Sequence, residues 1–512
     1  MCKYAAAAIR LLSLTFVAPA ALASCTGQPL GETPPSEAPT ILRSPFATIA
    51  TEPQASTTSE STETHVGSAS TPAPAALSTA GPWIIFPSED GIWAMNSDGS
   101  GLVKLTDLPY LGPNPPTASV APSGGRVAFV TYWPDRNSYQ LAILSLPLGH
   151  IELVTPLLNS SIDFLTLDWQ EAVDLEASVA LARTLEWSPD GRYLAFVGAQ
   201  DGPSPDVYVL ALDGFSMLRL TSGPTYAVDP TWSPDGAYVL HGAASALNWE
   251  NAPDGYSMTG FWAARADGSE LRLLYPLSAH GYERILGWVS THEFLARTQE
   301  FPCNDRGLRM VDTQSGRVFT IWTGEFGDAA VDPGQRLALV ATPYAVGAFY
   351  NDICSFDYEP GYYLLPLDGT APGTRLDMPI DVDDWIRVDW VPAWQRFLVS
   401  SRRGLFSVSS EGSIQTLLEH AVTDQPAVSA DGTGVLADTV DGLWLIRAEQ
   451  PPRRIATGYI SSYVFSSGTS DGVVFSTDQI AYIASAPEYE PDFVTNFDMM
   501  HECCWEPLFV AK

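Results

Sequence analysis

The feature that most limits how this chain can fold is a repeated string. Trp187-Ser188-Pro189-Asp190-Gly191 and Trp232-Ser233-Pro234-Asp235-Gly236 begin 45 residues apart. Each is followed by a short apolar run (YLAFVG, YVLHG) and then by two further runs joined through an Asp-Gly turn. Proline presets the first corner of a turn, aspartate bonds its own backbone and glycine supplies a positive φ, so Ser-Pro-Asp-Gly makes a tight hairpin connection. The flanking runs are then paired strands. Four strands in about 45 residues is the length of one propeller blade.

The same grammar recurs in weaker form at 121–131 (APSGGRVAFVT), 331–342 (VDPGQRLALVAT), 391–401 (VPAWQRFLVSS) and 428–438 (VSADGTGVLAD), with the pairs Gln335-Arg336 and Gln395-Arg396 in matching places. Trp-Ser-Pro-Asp-Gly, an apolar strand and a Asp-Gly-Ser turn resemble the WD40-like Pro-Asp repeat of the TolB propeller family. The resemblance covers most of residues 83–485 and implies a fold rather than an activity. Seven units begin near 118, 185, 230, 285, 329, 388 and 426, with partial units at 83–106 and 463–485. If the partial units combine to close the ring, the expectation is an all-β propeller of eight four-stranded blades, with seven as the alternative. A single helical candidate lies near Leu167 to Ala182.

Ahead of the repeats the texture differs. Lys3 and Arg10 precede an apolar stretch from Leu11 to Ala21, followed by Leu22-Ala23-Ser24-Cys25. This reads as a secretory signal peptide, and its end resembles the bacterial lipobox, which implies cleavage before Cys25 and a lipid on its thiol. Residues 26–80 are rich in Pro, Ser, Thr, Ala and Glu and have too few large apolar side chains to fold. The expected order is therefore signal peptide (1–24), tether (25–80), propeller (81–490) and an unplaced C-terminal tail (491–512). The chain would be extracytoplasmic, touching the membrane through its lipid alone.

Without residues 1–24, 24 Lys and Arg remain against 59 Asp and Glu. That balance excludes nucleic acid and anionic lipid as partners of the body. Cys303, Cys354, Cys503 and Cys504 remain as thiols of an exported chain and suggest disulfides. Cys303 and Cys354 fall in equivalent insertions of neighbouring units, which predicts a disulfide between them.

In a four-stranded blade the Ser-Pro-Asp-Gly and Asp-Gly-Ser turns share one rim, so insertions concentrate on the other. These are Tyr132 to Gln140, Gly198 to Asp206, Gly242 to Gly260, Thr298 to Gly307 and Thr342 to Gly361, with the connection Pro156 to Glu186. They carry the candidate ligand-binding residues Trp133, Asp135, Trp249, Glu250, Tyr256, Tyr344, Tyr350 and Asp352. Aromatic side chains beside acids on loops held by a rigid scaffold suit sugars, peptides or cationic groups.

No catalytic set is legible. Gly468-Thr469-Ser470-Asp471-Gly472 spells the serine-hydrolase string, but it precedes a strand-like run and reads as a hairpin turn. Met499, Met500, His501, Cys503 and Cys504 form a soft cluster better explained by disulfides than by metal. Asp381, Asp383, Asp384 and Asp389 lack the spacing of a calcium loop and read as a solvated connection. His292-Glu293 lacks the second histidine of a zinc protease, and no phosphate loop or dinucleotide fingerprint is present. The expectation is a monomeric, cofactor-free binding module that engages an envelope protein, peptide or glycan. The rival is a propeller enzyme, a glycan lyase or hydrolase, using an axial pocket.

Overall fold

The computed structural model describes residues 76–88, 91–108, 118–133, 138–158, 185–201, 204–247, 256–300, 307–324, 326–342, 359–369, 373–380, 386–420, 422–423, 425–448, 450–460, 462–466, 471–477, 480–496 and 508–510. All of the assigned elements are strands. They form seven four-stranded sheets and one of seven strands.

The recurrent turn explains why these residues make strands at this spacing. Ser188 donates its hydroxyl to Asp190 (2.7 Å) and accepts the N–H of Tyr193 (2.9 Å), while Asp190 accepts the N–H of Arg192 (3.0 Å). Ser233, Asp235 and Tyr238 repeat the pattern at 2.6 and 2.9 Å, and Ser429, Asp431 and Gly434 at 2.8 and 2.9 Å. Gly191, Gly236 and Gly432 hold φ of 68°, 68° and 69°, where a side chain would be strained. In the decayed copies the left-handed residue is Arg336 (φ 51°) or Gln395 (φ 50°). Asp332 pairs with Leu337 and Val391 with Arg396. Arg336 thus matches Gln395, one place away from the correspondence read in the sequence.

The blade count corrects the expectation. The described residues form nine blades, neither eight nor seven, because the two partial units do not combine. Residues 462–496 form a complete sheet of their own, Ser462–Phe465, Gly472–Thr477, Ile480–Ser485 and Pro491–Asn496. The first unit, Trp83–Ser88, Gly91–Asn96 and Val103–Thr106, takes its fourth strand from Leu508–Val510. The register there is Trp83↔Val510, Ile84↔Phe509 and Ile85↔Leu508. Both additions come from the stretch after 490, whose short strands lack the turn grammar that marks the others.

The seven-stranded sheet contains two blades. Its strand Leu271–Trp288 pairs through one half with Tyr256–Arg265 and through the other with Glu293–Glu300. It is therefore the outer strand of blade 4 and the inner strand of blade 5.

Packing closes the ring. Eight apolar clusters each lie between successive blades, from Trp83, Ile85 and Phe129 between blades 1 and 2 to Phe465, Phe475 and Leu445 between blades 9 and 8. A ninth cluster joins Ile84, Phe86 and Met95 of blade 1 to Val474 and Ile483 of blade 9. The middle strands of a blade thus bury both faces, which explains the near-continuous apolar runs such as Tyr193–Gly198 and Asp206–Ala211, while outer strands such as Met217–Arg219 stay largely exposed.

Candidate functional site

Trp187, Trp232, Trp288 and Trp390 occupy one position of the repeat, at or near the end of the first strand of their blades. Each packs on the preceding blade. These first strands also touch one another from blade to blade, so they form the innermost ring. Because side chains alternate along a strand, residues one and three places before the Trp position face the following blade. Those places hold Glu186 and Asp389, and Arg387 and Asp328, respectively. Asp229, three before Trp232, sits instead in a bulge with φ 48°.

The acids are linked through the blade seams. Asp328 Oδ2 accepts the N–H of Val388 at 3.0 Å, joining blade 6 to blade 7. Burial raises the Asp328 carboxyl above its ordinary range, opposed by that N–H and by the charges of Arg387 and Arg297. Burial also pushes Asp389 up to about 6, aided by the charge of Asp328 and opposed by Arg387 and Gln425. Among the described residues Asp389 Oδ2 is buried without a hydrogen-bond partner. Its Oδ1 lies 3.5 Å from Gln425 Nε2 in blade 8, and the Gln425 carbonyl accepts the Tyr463 hydroxyl of blade 9 at 2.8 Å.

Glu186 is reachable by solvent, yet enough protein surrounds it that burial raises its carboxyl too. Its carbonyl accepts Trp232 Nε1 at 2.9 Å. The Asp389 carboxyl, near 6, is partly protonated close to neutrality, so it both donates and accepts, which suits proton transfer or a hydroxyl-bearing ligand. Glu186 and Asp328 were not singled out in the sequence, and Asp389 was read as part of a solvated connection, because the three lie far apart in it. Aligning blades on the Trp position is the signal that puts Glu186 and Asp389 in one register.

The sequence-predicted residues divide sharply. Trp133 ends the strand Arg126–Trp133 and Tyr256 begins Tyr256–Arg265, so both backbones border connections between second and third strands, on one rim. Asp135, Trp249, Glu250, Tyr344, Tyr350 and Asp352 lie outside the described residues, as do Cys25, Cys303, Cys354, Cys503 and Cys504, the helical candidate, and Asp381, Asp383 and Asp384. Asp389 departs from its reading as part of a solvated connection, since it sits on an innermost strand between blades. Gly472 opens the strand Gly472–Thr477, and Ser466 donates its N–H to the Gly472 carbonyl (2.8 Å). A strand stands where a nucleophile elbow needs a helix. Glu293 is engaged by Arg336 of the next blade at 2.8 and 3.1 Å. Among the described residues no group of three or more His, Cys, Asp or Glu is placed to hold a metal ion.

The rim itself is lopsided. Between second and third strands, blades 2 to 6 have connections of four residues or more, the longest from Thr342 to Gly361. Blades 7, 8, 9 and 1 turn in two residues, as at Ser401↔Gly404 and Thr439↔Gly442. The long connections thus belong to consecutive blades and emerge on one rim.

No known family profile matches the chain. Over 54 residues, 10% of its length, it is 41% identical to the uncharacterized peptidase YuxL of Bacillus subtilis (strain 168), a stretch that spans 8% of that relative. Among solved structures it is similar to a eukaryotic initiation factor (TM-score 0.50, 12% identity, 84% of this chain and 98% of that one). It is also similar to the β-propeller domain of the Trilobed protease from Pyrococcus furiosus (0.35, 13%, 65% and 93%) and to a TolB-like protein of Agrobacterium tumefaciens (0.30, 18%, 49% and 82%). At these identities what the chain shares with its structural neighbours is the fold, a β-propeller.

Proposed function

We propose that this chain is a lipid-anchored, extracytoplasmic binding module whose insertion-bearing rim engages a protein, peptide or glycan of the cell envelope. One observation carries the reading: the five long connections between second and third strands all belong to blades 2 to 6 and share a rim. Independent loops gathered on one side of a rigid ring are how scaffolds build binding surfaces. Anchorage rests on the signal and lipobox pattern ending at Cys25. The test exchanges residues 343–360 for a two-residue turn like that of blade 7 and measures capture of solubilised envelope components by the intact chain. At least a tenfold loss with unchanged thermal unfolding is expected. Equal capture by both proteins would remove the rim from the reading.

A second reading, a hydrolase or lyase acting at the axis, is favoured by the raised carboxyls of Asp328 and Asp389. It expects turnover of envelope glycans or peptides that disappears in Asp389→Asn and Asp328→Asn. The rim exchange separates the readings, because it should spare axial chemistry on small substrates.

A further inference from the structure

Blade 8 leaves part of the facing side of blade 9 uncovered. The outer strand of blade 8 is two residues long, Arg453–Arg454, where that of blade 9 has six, Pro491–Asn496. Past Arg454 the chain folds inward. The Ile455 N–H donates to the Leu443 carbonyl (2.8 Å), and Ile455 and Ala456 are buried in the cluster that holds Leu443 and Phe475. Phe493 lies opposite Tyr482 in the register, so the two share a face of blade 9, and Phe493 is 64% exposed.

The shortened strand leaves a cleft of about 300 Å³ at this seam, lined by Phe475, Tyr482 and Pro491 together with Arg454, Thr457 and Thr477. Phe475 and Tyr482 are stacked, with ring centroids 5.5 Å apart and planes at 18°, so one wall is an ordered aromatic pair. Among the described residues Arg454 is the one charged side chain in the lining. The other arginines of blade 8 are engaged elsewhere. Arg447 reaches Asp471 and the Tyr489 hydroxyl, and Arg453 donates to the Pro487 carbonyl at 2.6 Å. Arg454 lies over the Trp444 ring at 5.8 Å and makes no ion pair among the described residues. Asp492, next to Pro491, is on the other face of its strand, because it pairs with Ile483, which packs on blade 1.

We propose that this cleft binds a small aromatic monocarboxylate, with the carboxylate on Arg454 and the ring against Phe475, Tyr482 and Pro491. One guanidinium matches one carboxylate in a two-bond fork. An aromatic pair receives a further ring edge-on or offset, and a volume at the lower end of the range for small-molecule sites admits a single ring. The hydroxyls of Thr457, Thr477 and Tyr482 supply donors and acceptors for a ring hydroxyl. The site belongs to blades 8 and 9 and does not depend on what the long connections of blades 2 to 6 engage.

The test is titration of the intact protein with para-hydroxyphenylacetate at low ionic strength, read by calorimetry and by saturation-transfer NMR of the ligand. Saturable binding is expected, at least tenfold weaker in Arg454→Gln and in Thr457→Trp, which change exposed positions and should leave thermal unfolding unchanged. The protein with residues 343–360 exchanged should bind the acid as the parent does. No saturable binding up to about 10 mM, or an identical titration in either variant, would overturn the site. Tyrosol, a neutral alcohol with the same ring, binding as tightly would overturn the carboxylate assignment, and glucuronate binding as tightly would overturn the aromatic one.

Discussion

Two side chains show how single residues shape this ring. Ser188 serves its turn twice, as donor to Asp190 and acceptor from Tyr193. The hydroxyl also holds the Asp190 carboxyl below its ordinary range. Ser188→Ala should therefore destabilise the protein by about 1 kcal/mol, the net worth of such bonds, read as a lower denaturant midpoint with unchanged slope. Asp389 acts in the other direction. Its folded-state carboxyl sits near 6, above the unfolded value near 3.9, so the buried charge opposes folding once pH exceeds the folded value. Asp389→Asn should raise stability by about 2 kcal/mol at about pH 8, a gain that fades to nothing below about pH 4. A gain independent of pH in paired denaturation curves would contradict this account. Ser188 was legible in the sequence because its partners are local. Asp389 was not, because its neighbours Asp328 and Gln425 lie in other blades.

At the scale of elements, adjacent blades are joined by apolar clusters and a few cross-seam polar contacts. The contact of Arg336 with Glu293 ties the left-handed turn of blade 6 to blade 5 with a bidentate pair. It holds the Glu293 carboxyl below its ordinary range. A depressed folded value means that the stabilisation is present above the unfolded range near 4.3 and is lost as pH falls through the folded one. Glu293→Gln should cost about 1 kcal/mol near neutrality, since Arg336 is partly exposed and solvent screens it. The difference should vanish in strong acid, as melting across a pH series would show. The strands themselves were readable from apolar runs and turn residues. The shared strand Leu271–Trp288 was not, because periodicity does not reveal that one strand pairs on both edges in succession.

At the scale of the molecule, closure rests on Leu508–Val510 beside Trp83–Ser88 and on the cluster of Ile84, Phe86, Met95, Val474 and Ile483. Ending the chain before Leu508 should leave blade 1 with three strands and lower the melting temperature by several degrees. Hydrogen exchange should rise first in Trp83–Ser88 and in blade 9. Uniform loss of protection around the ring would instead mean that closure is not local. For the proposed lipid anchor, metabolic labelling with an alkyne fatty acid should mark the parent chain and not Cys25→Ser. Labelling of both would place the lipid elsewhere.

The all-β class, the repeat and the two rims follow from local chemistry, because turn residues and strand pairing within a blade act over a few residues. The seven central units follow for the same reason. The number of blades, the source of the closing strand, the acids gathered on the innermost strands and the cleft between blades 8 and 9 appear only in the folded ring. Each depends on a contact between distant segments, and its energy comes from burial and charge at a seam that no local pattern encodes.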